Sequence, residues 1–335
     1  MDVSVVVPTY CRDASLIRTL LSLAASLREG FDDFEILVVD DGSPVAAADV
    51  VEAAVDLIPV PVKVLRQPNG GPAAARNHGF NQTSGKIVLF VDDDIGVPPT
   101  LLSAHVAAHR AFPGCVVFGP SLLPMDVGDT LLHHLLDELE GAPATAEFEP
   151  SRLVASGHLS VERGLFPGGA VYRSDLRTPA AEEYELSFRL QLQAITAIRA
   201  NRIVASHQTE LSLGAVCRGQ YHHGRGCAEA ATKAPETLGL PELRHIVQRE
   251  RLSNTNAMGL LKRAASSRLG RRILLDAGQM ARGVPAVRRA APLLYRWALA
   301  AHFRAGVRVG LREFGHVECA GSASVARRPG EGDPC

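Results

Sequence analysis

The chain has 335 residues, 46% of them apolar and 21% charged, with a formal net charge of -1. That length suits one large or two ordinary domains with a buried core, and the high apolar content with little net charge excludes a disordered chain. The small net charge conceals an asymmetry: between Glu242 and Arg312 there are 15 Lys and Arg residues against three acids, a net +12, which leaves the remainder at -13.

The first half alternates apolar β-branched runs with helical patterns. Strands are predicted at 3–8, 34–40, 62–67 and 86–92, and helices at 13–27, 45–57, 71–83 and 98–112. Continuous rather than alternating apolar strands, separated by helices, indicate a parallel sheet covered on both faces. The expected architecture is a doubly wound α/β domain that binds ligands beyond the carboxyl ends of its strands. A short helix over 131–140, a loop through 141–151, a strand pair over 152–162 and a helix over 179–195 follow. Residues 241–312 read as Arg- and Ala-rich helices, and 320–335 as a disordered tail.

The domain reading is a catalytic unit over 1–230, a basic helical region over 231–319 and the tail. Six scattered cysteines without a C-x-x-C pair predict reduced thiols. No basic leader precedes the first strand, and Arg296, Arg304 and Arg308 break the apolar stretch 292–311, so no spanning helix is expected. A cytoplasmic protein, or one held peripherally at the inner face of the membrane, follows.

Carboxylates cluster where two strands end. Asp40-Asp41 closes the second strand, and Asp92-Asp93-Asp94 closes the fourth. Like charges packed at a ligand-binding rim call for a neutralising partner. Oxygen ligands suit a hard divalent ion, Mg2+ or Mn2+, that bridges carboxylates to substrate phosphates. Between them, Gly70-Gly71-Pro72 opens a helix carrying Arg76, whose N-terminus suits a diphosphate. No G-x-G-x-x-G follows the first strand, and GFNQTSGKI fails the P-loop spacing, which excludes dinucleotide oxidoreductases and P-loop NTPases.

Four segments in order, VSVVVPTYCRDASLIRTLLSL, EILVVDDGS, NGGPAAARNHGF and VLFVDDDI, resemble family 2 glycosyltransferases of the GT-A fold, a Rossmann-like architecture. The stretch SGHLSVERGLFPGGAVYRSDLRTPAAEEYELSFRL looks like that family's acceptor-side region, and the match covers roughly residues 3–225. The resemblance implies a metal-dependent, inverting transfer from a nucleotide sugar (UDP-, GDP- or dTDP-linked) to a hydroxyl acceptor. Pro8, Thr9, Tyr10, Asp40 and Asp41 would hold the base, with Arg66 and Arg76 near base or phosphates. Asp92 and Asp93 would lie on the ribose and donor side, and Asp94 would ligate the metal, with His207 a second ligand.

Glu183, where the family commonly has Asp, would be the catalytic base, with Glu182 the adjacent alternative. His158 stands where many relatives carry Asn, and Arg218 or Arg225 would close over the donor phosphates. A sugar-1-phosphate nucleotidyltransferase is the alternative within this architecture, although PTYCRD supplies no Gly-rich phosphate loop. An inactive, glycosyltransferase-like binding protein is the alternative outside catalysis.

His105 and His109, four apart, read as an ordinary helix face. CRGQYHHGRGC fits no structural zinc spacing. The basic C-terminal stretch reads as a helical platform or a peripheral membrane anchor, the latter going with a lipid-linked acceptor. No nucleic-acid motif accompanies it, so no nucleic-acid partner is expected.

Overall fold

The structure, a computed structural model, describes residues 1–122, 146–208, 212–252, 257–283 and 288–315. The expected helix over 131–140 and the tail from 320 lie outside the described residues. In chain order the N-terminal half runs β1 (Val3–Thr9), α1 (Asp13–Ala24), β2 (Phe34–Asp40), α2 (Ala47–Ala53), β3 (Val62–Arg66), α3 (Pro72–Gln82), β4 (Ile87–Val91), β5 (Ile95–Gly96), α4 (Leu101–Ala111), β6 (Val116–Phe118) and β7 (Ser121–Leu122). Then come β8 (Phe148–Ser151), β9 (His158–Glu162), α5 (Ala181–Leu192), β10 (Ala197–Ala200), β11 (Ala205–His207) and α6 (Leu213–Lys233). The chain continues as α7 (Pro241–Leu252), α8 (Ala257–Ala265), α9 (Arg268–Gly283) and α10 (Ala291–Gly315).

The main sheet has eight strands in the order β3-β2-β1-β4-β9-β6-β10-β8. Strands β1 to β4 are mutually parallel, whereas β9 is antiparallel to both neighbours, β4 and β6. The period-2 alternation of strand side chains decides the layering. Val3, Val5, Val7, Ile36 and Val38 face the α1 and α4 layer. Val6, Leu37, Val39, Val88 and Phe90 face α3 and α5. The sheet is therefore wound on both sides, in the GT-A manner.

Local departures from the expected boundaries have physical causes. The first strand of the expected 152–162 pair lies earlier, at β8, where Pro150 looked like a loop residue. β8 is the sheet's edge, where a missing N–H is tolerated. The helix expected at 45–57 divides into α2 and a separate 3-10 turn over Val55–Leu57. Cys115, Cys217 and Cys227 are free and buried, but Cys11 is disulfide-bonded, which corrects the expectation of reduced thiols throughout.

The C-terminal helices pack on the catalytic layer instead of standing apart. Tyr184 of α5, Cys227 of α6, and Leu243 and Val247 of α7 share one apolar cluster. The expected boundary at 230 falls inside α6, which runs unbroken to Lys233. No described helix is long and apolar enough to cross a membrane.

Candidate active site

β1 and β4 are adjacent, while β2 and β3 extend away on the far side of β1. Their carboxyl ends therefore open a crevice at the topological switch point. A cavity of about 950 Å³ lies there, lined by Pro8 and Thr9 at the end of β1 and Tyr10 just after it, by Asp92 to Asp94 after β4, and by Glu182 and Glu183 at the start of α5.

The first carboxylate pair divides its work. Asp40 is fully buried and its carboxylate accepts the Ser43 and Ala47 N–H groups at 2.8 and 3.1 Å, which fixes the entry to α2. Arg66 donates to the Ser43 carbonyl at 2.6 Å and lies 3.7 Å from Asp40. Neither lines the cavity. Asp41 does, and accepts the Gly70 and Gly71 N–H groups, each at 2.8 Å. That pairing bends the chain into α3. Gly71 has φ +89°, and a Cβ there would press on the Arg177 backbone, so glycine is required on both counts.

The second cluster is held from three sides. The Thr9 hydroxyl donates to Asp93 at 2.6 Å. Arg12 ion-pairs with Asp94 and lies 3.4 Å from Asp93. His207 Nδ1 is 3.7 Å from Asp94 Oδ1, brought there because β11 pairs antiparallel with β5 directly after the Asp run. Burial pushes Asp93 up to about 7 despite Arg12 and the Thr9 hydroxyl. Burial would raise Asp94 too, but His207 and Arg12 outweigh it and hold that carboxyl below its ordinary value. His207 moves the other way: burial opposes its charge, yet Asp94 raises its pKa.

Whether these side chains suit a divalent cation can be judged from their chemistry. Asp94 and His207 offer a hard oxygen beside an imidazole nitrogen, and Arg12 already places a cation on the same carboxylate. Among the described residues no group of three or more His, Cys, Asp or Glu side chains could hold a metal ion alone. The residues thus fit an ion that takes its remaining ligands from a diphosphate. Sequence reasoning missed Arg12, because nothing in PTYCRD announces which way its side chain turns.

On the opposite wall, Arg76 is buried and bridges two carboxylates, Asp92 at 2.7 Å and Glu182 at 3.0 Å, over the Tyr172 ring. Burial, with Glu183 adjacent, raises Glu182 against the pull of Arg76. Glu182 is thereby committed to Arg76. Glu183, half-buried, instead accepts the Ser156 N–H at 2.8 Å and hydroxyl at 2.6 Å and faces the cavity. Ala180, the residue before α5, sits at φ +72°, a left-handed conformation unusual for alanine. Gly226 of α6 packs close against this turn, where a Cβ would strike the Pro179 carbonyl.

α6 and α10 complete the cavity. Glu229, fully buried, accepts the Thr178 N–H at 2.7 Å and pairs with Lys233, which tethers the segment leading to α5. Arg225 lines the cavity and pairs with Glu313 of α10 at 2.8 Å, whereas Arg218 is exposed and does not line it. Glu229, Lys233, Glu313 and Ser156 carried no motif in the sequence, whereas Arg225 was singled out there.

Comparison with known proteins agrees with this geometry. Residues 4–151 match the model of "Glycosyl transferase family 2". The succinoglycan biosynthesis protein ExoW of Rhizobium meliloti (strain 1021) is 32% identical over 155 residues, 45% of this chain and 46% of that protein. The validoxylamine A glucosyltransferase of Streptomyces hygroscopicus subsp. limoneus is 37% identical over 117 residues, 35% of this chain and 26% of the relative. The chain thus spans less than half the length of these relatives. In structure it is similar to the mannosyltransferase PcManGT from Pyrobaculum calidifontis, solved with GDP-Man and Mn2+, at a TM-score of 0.55 and 15% identity, covering 90% of this chain and 86% of that one. The match to glycosyl transferase family 2 thus covers residues 4–151, the part of the chain that carries β1 to β8.

Proposed function

We propose that this protein transfers a sugar from a nucleoside diphosphate donor to a hydroxyl acceptor by a single inverting displacement. The observation that carries this reading is the division of carboxylates across one cavity, with Asp94 and His207 on one wall and Ser156-anchored Glu183 on the other. Two separated acidic roles are what the reaction needs.

A sugar hydroxyl is a weak nucleophile, so a carboxylate within hydrogen-bond reach must take its proton as attack develops. Glu183 is the base in this reading. Ser156 fixes one of its oxygens, and the residue lines the cavity. Glu182 is almost fully buried with one oxygen held by Arg76, which leaves Glu183 the better placed of the two. Asp94 and His207 would hold Mg2+ or Mn2+, which as a Lewis acid stabilises charge on the departing diphosphate. Thr9 orients Asp93 beside them, and Arg76 holds Asp92 at the ribose side. Asp41 acts by keeping the α3 N-terminus in place. Both substrates are held in line by walls from three layers, which lowers the entropic cost of attack.

The test is release of nucleoside diphosphate from a panel of UDP-, GDP- and dTDP-sugars with Mn2+ or Mg2+ and hydroxyl acceptors. Glu183→Gln should lower transfer by about 10²- to 10⁴-fold with donor binding unchanged. Glu183→Asp should retain more activity. Undiminished transfer by Glu183→Gln would remove it as base. Absence of any release across the panel would return the chain to the class of binding proteins.

A further inference from the structure

The basic end of the chain presents a surface that the transfer reaction does not use. α7, α8 and the first half of α10 enclose a groove of about 390 Å³. Ala301 is buried within it, Trp297 is half-buried, and Leu293 is 60% exposed at its edge. Arg249, Lys262 and Arg296 line the same groove. Leu293, Arg296, Trp297, Ala300 and Arg304 recur at three- and four-residue spacing, so one stripe of α10 faces it.

The next helix is apolar on two sides. α9 packs Leu274, Leu275 and Gly278 toward Tyr295 of α10. Its opposite stripe, Leu269, Ile273 and Met280, is 56–69% exposed, and the one acid there, Asp276, lies 3.9 Å from Arg272. On α8, Met258, Leu260 and Leu261 are also at least half exposed. Single exposed apolar side chains are ordinary, but clusters on α8 and α9, with Leu293 at the groove edge, mark a docking surface.

Charge identifies the occupant. Residues 242–312 carry 15 Lys and Arg residues against three acids, so exposed apolar groups are set among cations. Apolar side chains that enter the acyl boundary, ringed by cations at phosphate depth, complement an anionic bilayer. We propose that α8, α9 and the N-terminal half of α10 seat this protein on a membrane of anionic phospholipid, with Leu293 and Trp297 entering the interface and Arg249 and Lys262 at the phosphates. α10 continues from this groove to Glu313 and Phe314 at the cavity, about 14 Å of helix beyond Arg304 at 1.5 Å per residue. The proposal is independent of the transfer reaction, since the assay below reads binding alone and either can fail without the other.

The chain holds a single tryptophan, so Trp297 reports directly on the groove. The full chain should co-sediment with vesicles containing phosphatidylglycerol and not with phosphatidylcholine alone. Trp297 emission should shift to the blue on binding, and brominated acyl chains should quench it. Added salt should release the protein, because the attraction is screened. The Arg249→Glu, Lys262→Glu double variant should weaken partitioning by about twenty-fold or more. Leu293→Glu should weaken it also, with thermal melting checked for both variants. Equal binding to neutral vesicles, binding to neither, or unchanged Trp297 emission would overturn the proposal. So would a lipid-free dimer that Leu293→Glu dissociates, since that would assign the surface to a second copy of the chain.

Discussion

Arg76 and Glu182, 106 residues apart in sequence, form a buried ion pair at 3.0 Å between α3 and α5. The guanidinium is shared, because its other nitrogen holds Asp92 at 2.7 Å. One cation therefore ties the donor side of the cavity to the helix that carries the proposed base. Removing one partner of a buried pair strands the other charge, at a cost of about 3–5 kcal/mol. The two deletions should differ. Glu182→Gln leaves Arg76 paired with Asp92, whereas Arg76→Met leaves two carboxylates without their cation. Urea unfolding should show the larger loss for Arg76→Met, and equal losses would contradict the sharing.

Arg12 occupies the carboxylates that would receive a divalent ion. It is half exposed, so its pairing with Asp94 and Asp93 is weak in net terms. A cation that binds there must displace it. Arg12→Gln should therefore tighten Mn2+ binding in the presence of nucleoside diphosphate by about two- to fivefold. The free-ion signal in electron paramagnetic resonance measures this. Weaker Mn2+ binding by the variant would mean that Arg12 organises the carboxylates and does not compete for them.

The core of the fold was legible because strands buried on both faces leave uninterrupted runs such as Val3 to Val7 and Ile87 to Val91. The acidic strand ends were legible for a related reason, since charges directly after a buried strand stand out. Which carboxylate does what was not. Asp40 and Asp41 are neighbours in sequence, yet one turns into the α2 entry and the other toward α3. Glu182 and Glu183 diverge in the same way, one toward Arg76 and the other toward Ser156. Adjacent helical positions differ by about 100°, and only long-range packing decides which faces the cavity. β8 was misplaced because an edge strand can carry a proline that local patterning reads as a loop.

His105 and His109 lie on the core-facing side of α4, where both meet Ser160 of β9 and His105 also meets His158. His105 Nε2 lies 3.0 Å from His158 Nδ1, and Ser160 Oγ is 2.8 Å from each of the two α4 histidines. Pro120 contributes a carbonyl at 3.2 Å from His158, and Glu162 lies 3.7 Å from His109. Burial lowers all three, His105 well below its usual value and His158 to about 4. These imidazoles therefore bind fewer protons in the folded chain than in the unfolded chain at mildly acidic pH. The stability they contribute is complete above pH 6.5 and is lost as pH falls from there toward 4, whereas Asp93, raised to about 7, acts in the opposite sense. For His158 alone the loss amounts to about 3 kcal/mol. In thermal melting across pH 4 to 7.5 the parent should lose more stability on acidification than His158→Asn does. An unchanged slope in that variant would place the sensitivity elsewhere.

Gly224 of α6 and Gly306 of α10 are the close contacts through which the C-terminal helices reach the cavity. A Cβ on Gly306 would collide with the Tyr221 carbonyl, and one on Gly224 with the Phe303 carbonyl, so each glycine receives the other helix's backbone. Neither obstacle is a flexible side chain that could turn aside. Gly306→Ala must separate the helices, at about 1–3 kcal/mol for overpacking. The separation acts on function because Glu313, seven residues further along α10, pairs with Arg225, and Phe314 lines the cavity. The variant should raise the KM for the donor more than it lowers kcat, since Glu183 is anchored from the sheet side through Ser156. Gly219→Ala supplies the control. That glycine is exposed in α6 with nothing within 4 Å of its would-be Cβ, so alanine should stabilise the helix by about 0.5–1 kcal/mol. If Gly306→Ala melts like the parent and keeps its KM, the close packing of α10 is not what shapes the donor cavity.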